Sequence, residues 1–195
     1  MKNNWKWIYN PFEKVAGWKA FGIGIVILSI TTIIGYFGNI VFYATLQIKS
    51  VLNVTWSMAF FVQFLGLTVT VIIMYVAALL FTKQVRFQDI LGTVTLAKYP
   101  LLFVALLSLA FGQSMASIDV YKMLNMEYTF FDLVPLIIFC IATMIFVIWE
   151  IVLLYNAFKV STNLKGTKCG ILFTAALLAS EIVTIVLVFI YSYFK

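Results

Sequence analysis

Residues 133–158 read LVPLIIFCIATMIFVIWEIVLLYNAF, and residues 169–194 read CGILFTAALLASEIVTIVLVFIYSYF. Between them lies a short basic connector, KVSTNLKGTK, at 159–168. An apolar run of about 18 residues or more is long enough to cross a bilayer as a helix. Each run carries one acid inside it, Glu150 in the first and Glu181 in the second. The pair reads as two spans joined by a tight turn.

The rest of the chain follows the same pattern. Of 195 residues, 64% are hydrophobic and 10% charged, against about 45–50% and about 25% in soluble domains. Further spans are expected at about 21–43, 55–81 and 99–116. With 133–158 and 169–194 they make an all-α, polytopic bundle of five transmembrane helices, read as one membrane domain over 1–195. Two interfacial helices are expected beside them. Asn10-Pro11-Phe12-Glu13 carries an N-cap, a proline suited to a first turn and a capping-box acid. Trp5, Trp7, Tyr9 and Trp18 suit the headgroup layer. In the second loop, Phe87, Ile90, Leu91 and Val94 fall at i, i+3, i+4 and i+7, the spacing of an amphipathic surface helix.

The formal charge of +6 does not imply nucleic-acid binding, because the basic residues are dispersed at the ends of apolar runs. Lys and Arg number four in the N-terminal segment, then one, three, one and three in successive loops, and one at the C-terminus. The positive-inside rule therefore orients the chain with a cytoplasmic N-terminus and an exoplasmic C-terminus. Asn53-Val54-Thr55 is a glycosylation acceptor in form only.

There is no histidine, which removes the usual triads and His-based metal and haem sites. Cys140 and Cys169 fall toward opposite sides of the membrane in this topology and are not expected to pair. No Walker A sequence or GxGxxG is present. No catalytic residue, metal ligand or cofactor is expected. Small residues at Ala20/Gly24, Gly35/Gly38, Ala105/Ser108/Gly112/Ala116 and Ala175/Ala176/Ala179/Ser180 mark close helix contacts. Gln63, Gln113, Asn39 and Asn156 read as interhelical hydrogen-bonders.

Glu150 and Glu181 stand out. Counted from the connector at 1.5 Å per residue, they lie about 12 Å and about 18 Å into the membrane. If the two helices pack as an antiparallel pair, they share one layer. An intramembrane acid is costly and faces the protein interior. Lys98, placed at the inner end of the third span, is the nearest cation. Three roles compete: a protonated packing residue bonded to a neighbouring hydroxyl or amide, a proton or cation relay, or recognition of a cationic or lipid headgroup.

The chain also resembles the YIP family of five-span membrane proteins, named for interaction with Ypt/Rab GTPases. The likeness rests on Trp5-Lys-Trp-Ile-Tyr-Asn-Pro-Phe-Glu-Lys14, on Phe87-Gln-Asp-Ile-Leu-Gly92 with Ala97-Lys-Tyr-Pro100, and on Trp149 to Lys168. It implies a short bacterial-type member with the five-span, N-inside topology, and hence a bacterial inner (cytoplasmic) membrane as its location. The long N-terminal region and the Asp-Leu-x-Gly-Pro motif of eukaryotic relatives are missing from this sequence, so Rab-type GTPase binding is not carried over. Minimal loops, stripes of small residues and surface-lying amphipathic segments point to a non-enzymatic membrane protein of YIP type, a scaffold or membrane and lipid organiser, with the bilayer, other membrane proteins or a second copy as partners. The alternative is a small proton- or cation-linked transporter or channel using Glu150 and Glu181.

Overall fold

In a computed structural model, residues 6–51, 54–82, 85–116 and 129–193 are described. Lys2, Trp5, Asn53, Lys83 and the third loop at 117–128 lie outside them, as do the side chains of Trp7, Gln113 and Ala116. The chain runs α1 (Lys6–Tyr9), a 3-10 turn (Pro11–Glu13), α2 (Gly17–Phe37), β1 (Ile40–Phe42) and β2 (Ile48–Ser50). It continues with α3 (Trp56–Phe81), α4 (Phe87–Ala97), α5 (Leu101–Ala116), α6 (Phe130–Thr162) and α7 (Gly166–Tyr193). Among the described residues, five stretches are long and apolar enough to cross a membrane: Gly17–Phe37, Trp56–Phe81, Phe87–Gly112, Phe130–Thr162 and Gly166–Tyr191. The chain is thus an all-α bundle with the makeup of a multi-pass membrane protein.

The third span differs from its expected bounds. It begins at Phe87, not Tyr99, and is broken in the middle. Pro100 has no N–H to continue the helical ladder, and the turn at Lys98–Pro100 separates α4 from α5. α4 is therefore no surface helix. Ile90 and the stretch from Gly92 to Ala97 are buried, packed against α2, α6 and α3. Its polar positions survive burial because the hydroxyls turn back on the helix. Thr93 donates to the Asp89 carbonyl at 2.7 Å and Thr95 to that of Leu91 at 2.6 Å. A Cβ on Gly24 of α2 would lie 2.7 Å from the backbone nitrogen of Leu96, so the bare glycine permits this close crossing.

The N-terminal segment is tied to α6 instead of lying free on a surface. The Ile8 carbonyl accepts from Tyr99 Oη at 3.0 Å and Trp149 Nε1 at 2.8 Å, and that of Tyr9 from Asn156 Nδ2 at 2.9 Å. Phe12 is 1% exposed and enters the main core. Asn10 does not cap a helix. Its side chain donates to Glu13 Oε1 at 3.0 Å, across a three-residue 3-10 turn. Tyr9 and Trp18 are exposed.

The two helices of the last third are not a packed antiparallel pair. Asn163, at φ 55°, and Gly166, at φ 67°, turn the chain within three residues. α7 then packs along α3, while α6 packs along α5 and α4. The two meet near the connector, where Tyr155 and Phe158 touch Phe173. α6 begins earlier than expected, at Phe130. Its Asp132 carboxylate accepts from the Thr129 N–H at 2.9 Å and hydroxyl at 2.6 Å.

The first loop is the largest departure. α2 ends at Phe37, and Asn39, at φ 55°, reverses the chain. β1 and β2 then pair antiparallel, Ile40 with Ser50, Val41 with Lys49 and Phe42 with Ile48. Ile40, Val41, Phe42, Ala44 and Thr45 are all buried. The loop is a hairpin inserted into the bundle.

Candidate functional site

Non-helical backbone is tolerated at membrane depth only where protein or a water-filled cavity satisfies it. The tip of this hairpin therefore needs polar partners, and it meets them at the two buried acids. Gly66 of α3 provides the opening: a Cβ there would lie 3.5 Å from the Tyr43 carbonyl and 3.6 Å from the Ala44 Cα. The Leu46 N–H donates to Glu181 Oε1 at 2.9 Å. The Thr45 N–H and hydroxyl also face that carboxylate. Thr45 Oγ1 lies 2.9 Å from Thr70 Oγ1, and Thr70 donates onward to the Gly66 carbonyl at 2.8 Å.

Lys98 joins this tip to the second acid. Its Nζ lies 3.4 Å from Thr45 Oγ1 and 3.3 Å from Glu150 Oε1. The break between α4 and α5 places it there. Lys98 is the residue that follows the last turn of α4. Lys98 is 3% exposed and Glu150 0%, so their ion pair is enclosed. Lys98 does not snorkel outward, because the helix break gives it a carboxylate at the same depth. Oε2 of Glu150 is buried with no hydrogen-bond partner among the described residues. The Lys98 charge also acts on Glu181, and the two carboxylates act on each other.

The groups converge from four elements onto one layer. Measured from the helix ends on the connector side, Lys98 and Thr70 lie about 17 Å in, Glu150 about 18 Å and Glu181 about 22 Å, at 1.5 Å per residue. For helices that cross a hydrocarbon core about 30 Å thick, such distances fall well inside the apolar layer. Glu150 and Glu181 therefore share one centre, but through Lys98 and Thr45 and not by contact between their own helices.

Two cavities flank the hairpin. One of about 230 Å³ is lined by Tyr43, Gln47, Lys49, Met58, Ile185 and Val188, among others. Ile185 is one helical turn beyond Glu181, so this cavity comes within a turn of the acid at the hairpin tip. Inside it the Lys49 ammonium lies 4.6 Å from the Tyr43 ring centroid. The other, of about 270 Å³, lies between the hairpin and α6, where Leu46, Ser50 and Thr143 form part of its wall. The hairpin thus stands between two openings with its tip on the charged centre.

Of the remaining polar candidates, Asn39 serves the hairpin turn, its carbonyl accepting from Val51 N at 3.0 Å. Asn156 reaches the N-terminal segment. Gln63 is buried with Oε1 unpartnered among the described residues. Reading the sequence missed Thr45 and the Leu46 N–H, because it placed residues 44–54 outside the membrane, and Thr70, because nothing in the sequence sets it apart from Thr68 in the same span. No family model, curated protein or solved structure matches the chain.

Proposed function

We propose that this chain is a non-enzymatic integral membrane protein in which the Lys98–Glu150–Glu181 centre serves the passage of a small cation, as in a transporter or channel. The observation that carries this reading is a buried charge cluster part-way along the apolar helices, held between a broken helix and an inserted hairpin. Ionisable groups at that depth are costly and mark ion or proton pathways. Broken helices whose ends line a midplane site are a recurring device for such passage. The cavity reaching toward Glu181 supplies an approach from the hairpin side.

The test is cation flux into liposomes containing purified protein, driven by a membrane potential, with wild type, Glu150→Gln and Glu181→Gln compared. The reading requires flux in wild type and its loss in both variants. Flux unchanged by both substitutions would eliminate it.

A scaffold or membrane organiser of YIP type is the second reading. The complete enclosure of Lys98 and Glu150 favours it, together with the close crossing of α2 and α4 at Gly24. On this reading the charged centre locks the hairpin in place and no cation passes. The dispersal of Lys and Arg supports a cytoplasmic N-terminus in either case. Labelling of single cysteines in intact cells tests it; labelling of the Asn163–Lys165 connector from outside would reverse the orientation.

A further inference from the structure

Resting on the passage reading, we propose that the cation is a proton and that Glu181 is the group that exchanges it, while Lys98 and Glu150 form a fixed pair.

The first argument is charge. The buried charged residues among those described are Lys98, Glu150 and Glu181. Fully ionised they sum to one negative charge in a low-dielectric layer, where an uncompensated charge is costly. One further positive charge balances the centre. A proton supplies it by adding to one carboxylate oxygen, without the shell of several oxygen ligands that a metal cation takes.

The second argument is access. Glu150 is closed off at 0% exposure and already holds the ammonium, whereas Glu181 is 8% exposed. One wall residue of the cavity lined by Tyr43 and Gln47 is Ile185, one helical turn along α7 from Glu181. The charged groups facing Glu181 are Lys98, from the helix break, and Glu150, from α6. The hairpin presents only N–H and hydroxyl groups to its carboxylate.

The third argument is what the proton would do. It adds to a carboxylate oxygen of Glu181 from water in the cavity, forming one O–H bond, and leaves by breaking it. No electron moves and no other bond changes. While ionised, Glu181 accepts a charge-assisted hydrogen bond from Leu46 N–H, roughly twice as strong as a neutral one. Protonation weakens that hold on the hairpin tip, so proton arrival and tip release are linked at one atom.

The experiment uses full-length protein in liposomes loaded with a pH-sensitive dye, with a potassium gradient and valinomycin setting the potential. Wild type is expected to acidify the lumen faster than protein-free liposomes, at a rate unchanged when external sodium is replaced by choline. Glu181→Gln is expected to fall to the protein-free rate, and Glu181→Asp to retain part of the wild-type rate. If Glu181→Gln does not reconstitute, the proton-over-sodium selectivity of wild type, read from the reversal potential, decides. Sodium selectivity, or proton flux indifferent to Glu181→Gln, overturns the assignment. Sodium or potassium flux that depends on Glu181 would overturn the proton while leaving the passage reading intact. No flux of any cation would remove both.

Discussion

Replacing Lys98 by methionine probes the charged centre most sharply. Its ammonium lies 3.3 Å from Glu150 Oε1, and both side chains are enclosed. At that separation and an effective dielectric of about 20, the attraction is about 5 kcal/mol. Lys98→Met removes it while Glu150 remains buried, and breaking one side of such a pair costs roughly 3–5 kcal/mol. The variant also raises the charge of the centre from one negative to two. Lys98→Met combined with Glu150→Gln returns it to one. The double variant is therefore expected to recover about 2 kcal/mol or more relative to Lys98→Met alone, since contacting residues couple by up to about 3 kcal/mol. Equilibrium unfolding in mixed micelles, followed by tryptophan fluorescence, measures all four corners of the cycle. A cost below about 1 kcal/mol for Lys98→Met would refute the enclosed pair, that being the value of an exposed one. A double variant as unstable as the sum of the two singles would refute the coupling.

Four further outcomes follow from the packing. Thr45→Val keeps the shape but removes the hydroxyl between Lys98 and Thr70; the loss is expected at about 1–3 kcal/mol in the same unfolding assay. Gly24→Ala pushes a methyl against the Leu96 backbone, which cannot rotate away, and is expected to cost about 1–3 kcal/mol in thermal stability. Trp149→Phe removes one of two donors to the Ile8 carbonyl, so limited proteolysis of the N-terminal segment should quicken while the bundle stays intact. Cys140 is exposed and Cys169 buried, so a membrane-permeant maleimide should label Cys140 first in the folded protein.

The fold class was legible because five apolar runs dominate the composition, and length against bilayer thickness decides the rest. The charged centre was partly legible. Glu150 and Glu181 stand out because acids are rare in such runs, but their meeting point is tertiary. Lys98 and Pro100 read as the edge of a span, since a lysine ordinarily seeks water; a carboxylate from another helix reverses that preference. Phe87–Ala97 read as amphipathic because its threonines count as polar, yet they bond to their own helix and pack like apolar residues. The hairpin was hidden by its hydrophobicity. Ile40-Val-Phe-Tyr43 extends the first apolar run without a visible break. The signals available were Gly38-Asn39, suited to a chain reversal, and the β-branched pair after it.

The insertion of the hairpin tip into the middle of the bundle is most directly tested by a cross-link between its ends of contact. Thr45→Cys and Thr70→Cys are placed together in a protein carrying Cys140→Ser and Cys169→Ala, and oxidised in native membranes. The side-chain oxygens they replace lie 2.9 Å apart. Rapid disulfide formation is the expected result, with Thr45→Cys alone resisting a water-soluble maleimide. Failure to cross-link, together with fast labelling of Thr45→Cys by that reagent, would put the tip outside the membrane and contradict the charged centre built around it.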